Sequence, residues 1–125
     1  MAGTKKILVA DDEAGIRMLL YDALSGEGFK VALARDGEDS LNQMKKRRFD
    51  LLVTDINMPR VNGIELLRQM KKEGRREKII VMTGNSVDFS SIGNEIPPVA
   101  GFLRKPFQIP MFLKVVASAL GKATL

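Results

Sequence analysis

Four short apolar runs in this chain each hand the backbone over to a charged or hydroxyl side chain. Ile7-Leu8-Val9-Ala10 leads into Asp11 and Asp12, and Leu51-Leu52-Val53-Thr54 into Asp55. Ile79-Ile80-Val81-Met82 leads into Thr83, and Gly101-Phe102-Leu103-Arg104 into Lys105 and Pro106. Runs of this kind, separated by helix-period segments, read as parallel strands buried on both faces. In an open parallel sheet the carboxyl ends of the strands border the ligand crevice. Three carboxylates, a hydroxyl and an ammonium are therefore expected on one edge of one sheet. That set suits a divalent cation and a phosphoryl group.

The intervening segments have helical periodicity. Residues 13–27 place Ile16, Leu19, Leu20, Ala23 and Leu24 on one face, and Gly28 stands where the helix must stop. Asp36 is placed to cap a helix running to about residue 48, with Leu41 and Met44 inward. Asn62 is placed to cap another, with Ile64, Leu67 and Met70 inward and Gly74 at its end. Pro110 suits the first turn of a last helix burying Phe112, Val115, Val116 and Ala119, stopped by Gly121. Strands are expected at 5–10, 29–33, 50–54, 78–82 and 99–103. The weakest stretch is 84–98, where Val87, Phe89 and Ile92 support at most a short helix and Gly93, Pro97 and Pro98 limit it. Five strand–helix units with right-handed crossovers predict a single α/β domain over residues 1–125, doubly wound with helices on both faces of a five-stranded parallel sheet.

Composition narrows the chemistry. A chain of 125 residues, 45% hydrophobic and 28% charged, is long enough for one conventional core. It contains no cysteine and no histidine. Disulfides, thiolate nucleophiles, histidine bases and Cys- or His-ligated metals are thereby excluded, leaving carboxylates, hydroxyls, lysine and oxygen-ligated metals. No apolar stretch reaches membrane-spanning length and no signal-peptide core precedes the first strand, so a cytoplasmic setting without membrane contact is expected. The net charge is +5, with basic clusters at Lys45-Lys46-Arg47-Arg48 and around Lys71-Lys72 and Arg75-Arg76. No aromatic residue interleaves them and no recognition helix accompanies them. They read as solvated helix ends, and direct nucleic-acid binding is not expected.

Each candidate site residue also has a plainer reading. One of Asp11 and Asp12 would serve as an ordinary helix cap, but two adjacent carboxylates at a buried strand end repel each other unless a cation joins them. Asp55 alone is a loop aspartate; in register with the first pair it completes a set of hard oxygen ligands suited to Mg²⁺, or Mn²⁺ in its place. Thr83 alone is a turn residue. Lys105 precedes Pro106, and an X–Pro bond is the one peptide bond with a small cis penalty. A cis bond there would turn the chain sharply and hold the lysine over the crevice.

These residues together resemble the receiver domains of two-component response regulators, which have the chemotaxis-regulator fold. The resemblance covers essentially the whole chain and rests on Asp11-Asp12, Asp55-Ile56-Asn57-Met58-Pro59 with Gly63, Thr83-Gly84 and Lys105-Pro106-Phe107. It implies a flavodoxin-like sheet of order 2-1-3-4-5. It makes Asp55 the phosphoacceptor, Asp12 a direct Mg²⁺ ligand, Asp11 a ligand mainly through water and the Asn57 carbonyl a further ligand. Lys105 would bind one phosphoryl oxygen and Thr83 another, while Asn57 and Asn85 would flank the path of the hydrolytic water. Phe102 matches the family's switch aromatic, with phenylalanine where many members carry tyrosine; it also suits the core of a buried strand.

The implied function is a cytoplasmic signalling switch. It takes a phosphoryl group from a histidine kinase or phosphotransfer protein, catalyses its own phosphorylation and dephosphorylation, and acts on a downstream target protein or on an effector domain outside this chain. Movement of Thr83 would make room for Phe102 and alter the surface formed by a fourth helix, the last strand and a fifth helix. Two other readings use the same residues. A haloacid-dehalogenase-like phosphatase also employs a nucleophilic aspartate, but wants a second acid where Asn57 stands and places its paired acids late in the chain. A pseudo-receiver keeps the fold as an interaction module without phosphorylation.

Overall fold

The structure is a computed structural model and describes residues 3–84 and 89–121. Five strands, β1 (Lys6–Ala10), β2 (Lys30–Ala34), β3 (Leu51–Asp55), β4 (Lys78–Thr83) and β5 (Gly101–Arg104), form one parallel sheet of order β2-β1-β3-β4-β5. Four helices connect or follow them: α1 (Ala14–Gly26), α2 (Gly37–Lys46), α3 (Gly63–Lys72) and α4 (Ile109–Ala119).

Strand pleating sorts the apolar side chains into two layers, since successive residues point to opposite faces. Leu8, Leu52, Ile79 and Val81 join Met44, Leu66, Leu67 and Met70 from α2 and α3. Ile7, Val9, Val53, Ile80 and Met82 join Leu20 and Leu24 of α1 and Phe112 and Val116 of α4. Burial on both faces is what made the central strands continuous apolar runs. The rest of the helix pattern follows its spacing except at Leu19, which lies on the rim of α1 and is 49% exposed.

The starts of α2 and α3 are fixed by side-chain caps. Asp36 accepts the Asp39 amide at 2.8 Å, and Asn62 accepts the Glu65 amide at 2.9 Å. Gly74 follows α3 with φ +66°, the left-handed conformation that favours glycine after a helix. Pro110 occupies the first turn of α4, where its missing N–H is not needed.

The expectation of five strand–helix units needs correction. Among the described residues there are four α-helices, and the connection from β4 to β5 contains turns instead. Ile92 donates to the Phe89 carbonyl at 3.1 Å and Glu95 to that of Ile92 at 2.8 Å, three-residue spacings that do not propagate into an α-helix. Gly93 and the Pro97-Pro98 pair deny this segment a helical continuation. Asn85 and Val87 lie outside the described residues. The last strand begins at Gly101 rather than at residue 99, although the Ala100 amide already donates to Ile79 at 2.7 Å. No helix among the described residues is long and apolar enough to cross a membrane.

Candidate functional site

The register of the sheet brings the polar strand ends level with one another. Ala10 pairs with Thr54, Asp55 with Met82 and Thr83 with Arg104, so the residues that follow β1 and end β3, β4 and β5 share one edge. Asp11 continues the edge of β1 by donating its amide to Ala34 at 3.1 Å. It is fully buried, Asp55 is 5% exposed and Asp12 is exposed. Carboxylate oxygens of Asp11, Asp12 and Asp55 lie within 4.8 Å of one another.

Lys105 closes this cluster. Its Nζ lies 2.7 Å from Asp11 Oδ2 and 3.2 Å from Asp55 Oδ2, with Glu13 Oε1 at 3.8 Å. Its amide donates to the Thr83 carbonyl at 2.8 Å, which ties the start of the β5–α4 connection to the end of β4. The Lys105–Pro106 peptide bond is cis. Asp55 is held from the other side, its Oδ1 accepting the Ile56 amide at 2.8 Å.

The electrostatics follow from burial and these contacts. Burial pushes the Asp55 carboxyl above its ordinary value; Lys105 opposes the shift, and the neighbouring Asp11 carboxylate adds to it. For Lys105 burial works toward losing the proton, but the hydrogen bond to Asp11 and the charges of Asp11 and Asp55 outweigh it and raise its pKa. The ammonium is thus firmly charged beside a carboxylate that lacks sufficient positive company.

Oxygen donors of this kind fit a small hard cation. Mg²⁺ takes oxygens at about 2.1 Å, so its ligands stand at most about 4.2 Å apart. A carboxylate set confined within 4.8 Å meets that with small side-chain movements. Asn57 is exposed in the loop after β3, two residues beyond Asp55. Thr83 is 9% exposed at the end of β4. Phe102 is 56% exposed and rests against Phe89, with ring centroids 5.4 Å apart, so its reading as a core residue is overturned.

Sequence reasoning missed the supports of the cluster. Arg17 Nη1 donates to the Asp11 carbonyl at 2.8 Å, and Asp11 Oδ1 accepts the Glu13 amide at 2.9 Å. Arg60, at φ +64°, reaches from the β3–α3 loop to buried Asp36 at 2.6 Å. The first two contacts are local to the β1–α1 turn, whereas Arg60 and Asp36 lie 24 residues apart and no local spacing announces their pairing. An apolar recess lined by Ile16, Leu19, Leu20, Pro106 and Phe107 opens beside Glu13 and Lys105.

Comparison with known proteins agrees with this geometry. A profile described as the response regulator receiver domain matches residues 7–117. Sporulation initiation phosphotransferase F of Bacillus subtilis is 35% identical over 106 residues, covering 84% of this chain and 85% of that protein. The response regulator MprA of Mycolicibacterium vanbaalenii is 32% identical over 119 residues, covering 95% of this chain and 52% of that protein. This chain thus spans about half the length of the MprA relatives it matches. Among solved structures, the response regulator TrrA of Thermotoga maritima, in complex with Mg²⁺-BeF, superposes with a TM-score of 0.80 at 31% identity, covering 94% of this chain and all of that one. The chain belongs to the response regulator receiver domain family.

Proposed function

We propose that this domain is a phosphorylatable switch in which Asp55 accepts a phosphoryl group from a phosphohistidine on a sensor kinase or phosphotransfer protein, in the cytoplasm. The observation that carries the reading is the Lys105 ammonium shared between buried Asp11 and Asp55 within a three-carboxylate cluster. A cluster of acids alone would hold a cation; the added lysine and the adjacent hydroxyl suit a phosphoryl group.

Asp11, Asp12, Asp55 and the Asn57 carbonyl would hold Mg²⁺, or Mn²⁺ in its place. When bound, the cation supplies positive charge that lessens the repulsion between a carboxylate and an anionic phosphoryl group. An Asp55 carboxylate oxygen attacks phosphorus, the P–N bond to the donor imidazole breaks, and the imidazole leaves with the electron pair. No general base is required because the attacking carboxylate is already ionised, which is how a histidine-free site performs the step. Lys105 leaves its ion pair with Asp55 to hold a phosphoryl oxygen, and the Thr83 hydroxyl donates to another. Hydrolysis of the acyl phosphate resets the site, so the domain is a switch rather than a turnover enzyme. The recess beside Lys105 supports docking of a phosphohistidine-bearing helix, and output passes to a target protein or an effector domain.

Phosphorylation alters the charge beside Thr83, and Phe102, already on the surface against Phe89, is the aromatic group next to be affected. Amide NMR during titration with Mg²⁺ and beryllofluoride tests the reading. Saturable shifts are expected at Ile56, Thr83, Lys105 and Phe102, and none of them in Asp55→Asn. Shifts that persist unchanged in Asp55→Asn, or an absence of shifts in the wild-type protein, contradict it.

A further inference from the structure

A dense group of exposed cations among the described residues lies at the end opposite Asp55. In a parallel sheet with return helices, the strand starts and the helix ends fall on the same side. β1, β2 and β4 each begin with an exposed lysine, Lys6, Lys30 and Lys78. Lys6 and Lys30 are register partners on neighbouring strands, and like charges directly opposed cost stability. α2 runs out into Lys45, Lys46, Arg47 and Arg48, all exposed. α3 ends in Lys71 and Lys72 with Arg76 just beyond, also exposed.

A structural arginine draws the two helix ends together. Arg75 donates to the Met44 carbonyl at 2.7 Å and the Arg47 carbonyl at 3.3 Å while pairing with buried Glu77. Sequence showed two separate basic clusters; the fold makes them one face with the strand lysines. The nearby acids do little to offset it. Glu77 is taken by Arg75, and the other acids, Glu27, Asp50 and Glu73, are three against the ten exposed cations named above. Among the described residues, no ion pair engages the exposed cations of this face.

Helix dipoles account for part of the pattern, because lysines in a last turn complement the carbonyl end. They account for Lys45, Lys46, Lys71 and Lys72, and leave Arg47, Arg48, Arg76 and the three strand lysines unexplained. We propose that this end of the domain binds duplex nucleic acid through its phosphates, without reading bases.

The composition of the face favours that occupant. Protein interfaces are depleted in lysine and are anchored by aromatic or aliphatic hot spots. Of the exposed large apolar side chains among the described residues only Tyr21 borders this end, in a recess with Lys6, Lys30 and Arg47. The others sit earlier on α1, on β5 and on the first turn of α4. One tyrosine offers no platform for stacking successive unpaired bases, which turns the choice toward a duplex. Strand spacing of about 4.8 Å spreads the starts of β2, β1 and β4 over about 14 Å, with Lys30 level with Lys6 and Lys78 one residue further along, against a duplex carrying one charge per ~1.7 Å of axis. The missing aromatics and recognition helix, which argued against nucleic acid in the sequence, argue only against base readout. This inference does not rest on phosphoryl transfer at Asp55.

Fluorescence anisotropy of the full chain with a short labelled DNA duplex, at several salt concentrations, tests it. The same affinity is expected for unrelated sequences and for duplex RNA, with log K falling linearly in log salt. The triple variant Lys71→Gln, Lys72→Gln, Arg76→Gln, and separately Lys6→Gln with Lys30→Gln, are expected to flatten that slope by about 0.9 for each phosphate contact removed. Lys114→Gln, on α4, is expected to leave it unchanged. The substituted side chains are exposed, and thermal melting checks that each variant is folded. Absence of binding at low salt, equal weakening by Lys114→Gln, or preference for anionic vesicles or a glutamate-rich peptide over the duplex would overturn the proposal.

Discussion

Lys105 bridges two acids at once, and one of them, Asp11, is fully buried. Removing one partner of a buried pair leaves the other charge uncompensated, at a cost of about 3 kcal/mol. Lys105→Ala is therefore expected to melt well below the wild type in chelator, and to regain more stability than the wild type does when Mg²⁺ is added. Thermal melting with and without Mg²⁺ checks both parts. Asp36 offers a separate test away from the acids. Burial tends to raise its pKa, but the Asp39 amide and the Arg60 guanidinium more than offset this and hold the carboxyl below its ordinary 3.8. The folded state therefore binds that proton less readily than the unfolded state. Its stabilisation is complete well above pH 3.8 and is lost as pH falls through the folded value. Asn caps a helix nearly as well as Asp, and Arg60 is 59% exposed, so Asp36→Asn is expected to lose only about 1 kcal/mol at neutral pH. That gap should close in urea titrations taken to acidic pH; a gap that persists would assign it to something other than charge.

At the scale of elements, the site depends on how the β3–α3 loop is seated. A Cβ on Gly63 would come 2.4 Å from the Asp55 carbonyl, and one on Gly37 would come 2.2 Å from that of Val61. Both neighbours are backbone, which cannot yield as a flexible side chain would. Gly63→Ala is expected to cost about 2 kcal/mol, within the usual range for overpacking, and to slow phosphorylation by shifting Asp55. Chemical denaturation and an initial-rate assay measure the two effects; a normal rate at reduced stability would detach Gly63 from the site. The legibility of the elements followed the strength of their local signals. The caps at Asp36 and Asn62, the stop at Gly74 and Pro110 in the first turn of α4 are short-range chemistry and could be read from spacing. The β4–β5 connection could not, because Phe89 and Ile92 carry an apolar spacing that suits turns as well as a helix. Phe102 was ambiguous for a related reason: a strand at the edge of a sheet buries only part of what its apolar run suggests, and here Leu103 alone is buried.

The whole molecule is a sheet that separates two apolar layers and has an acidic and a basic end. Phe112 is fully buried against Phe107 in the layer under α1 and α4, and Phe112→Ala is expected to cost about 3–5 kcal/mol by equilibrium unfolding. A loss under about 1 kcal/mol would contradict the packing described. The convergence of Asp11, Asp12, Asp55, Thr83 and Lys105 was legible because buried parallel strands bring their carboxyl ends to one edge, while the strand order came from the family resemblance. The supports supplied by Arg60 and by the Arg75 contacts to the end of α2 were not legible, since each reaches a distant segment. The merging of two basic clusters into one face was hidden for the same reason. The central claim is that Asp55 takes the phosphoryl group, and intact-mass measurement after incubation with acetyl phosphate and Mg²⁺ tests it most directly. A single phosphoryl adduct that disappears in Asp55→Asn and in chelator is the predicted result. A folded wild-type protein that gains no adduct with any phosphoryl donor, or an adduct that survives Asp55→Asn, would contradict the account.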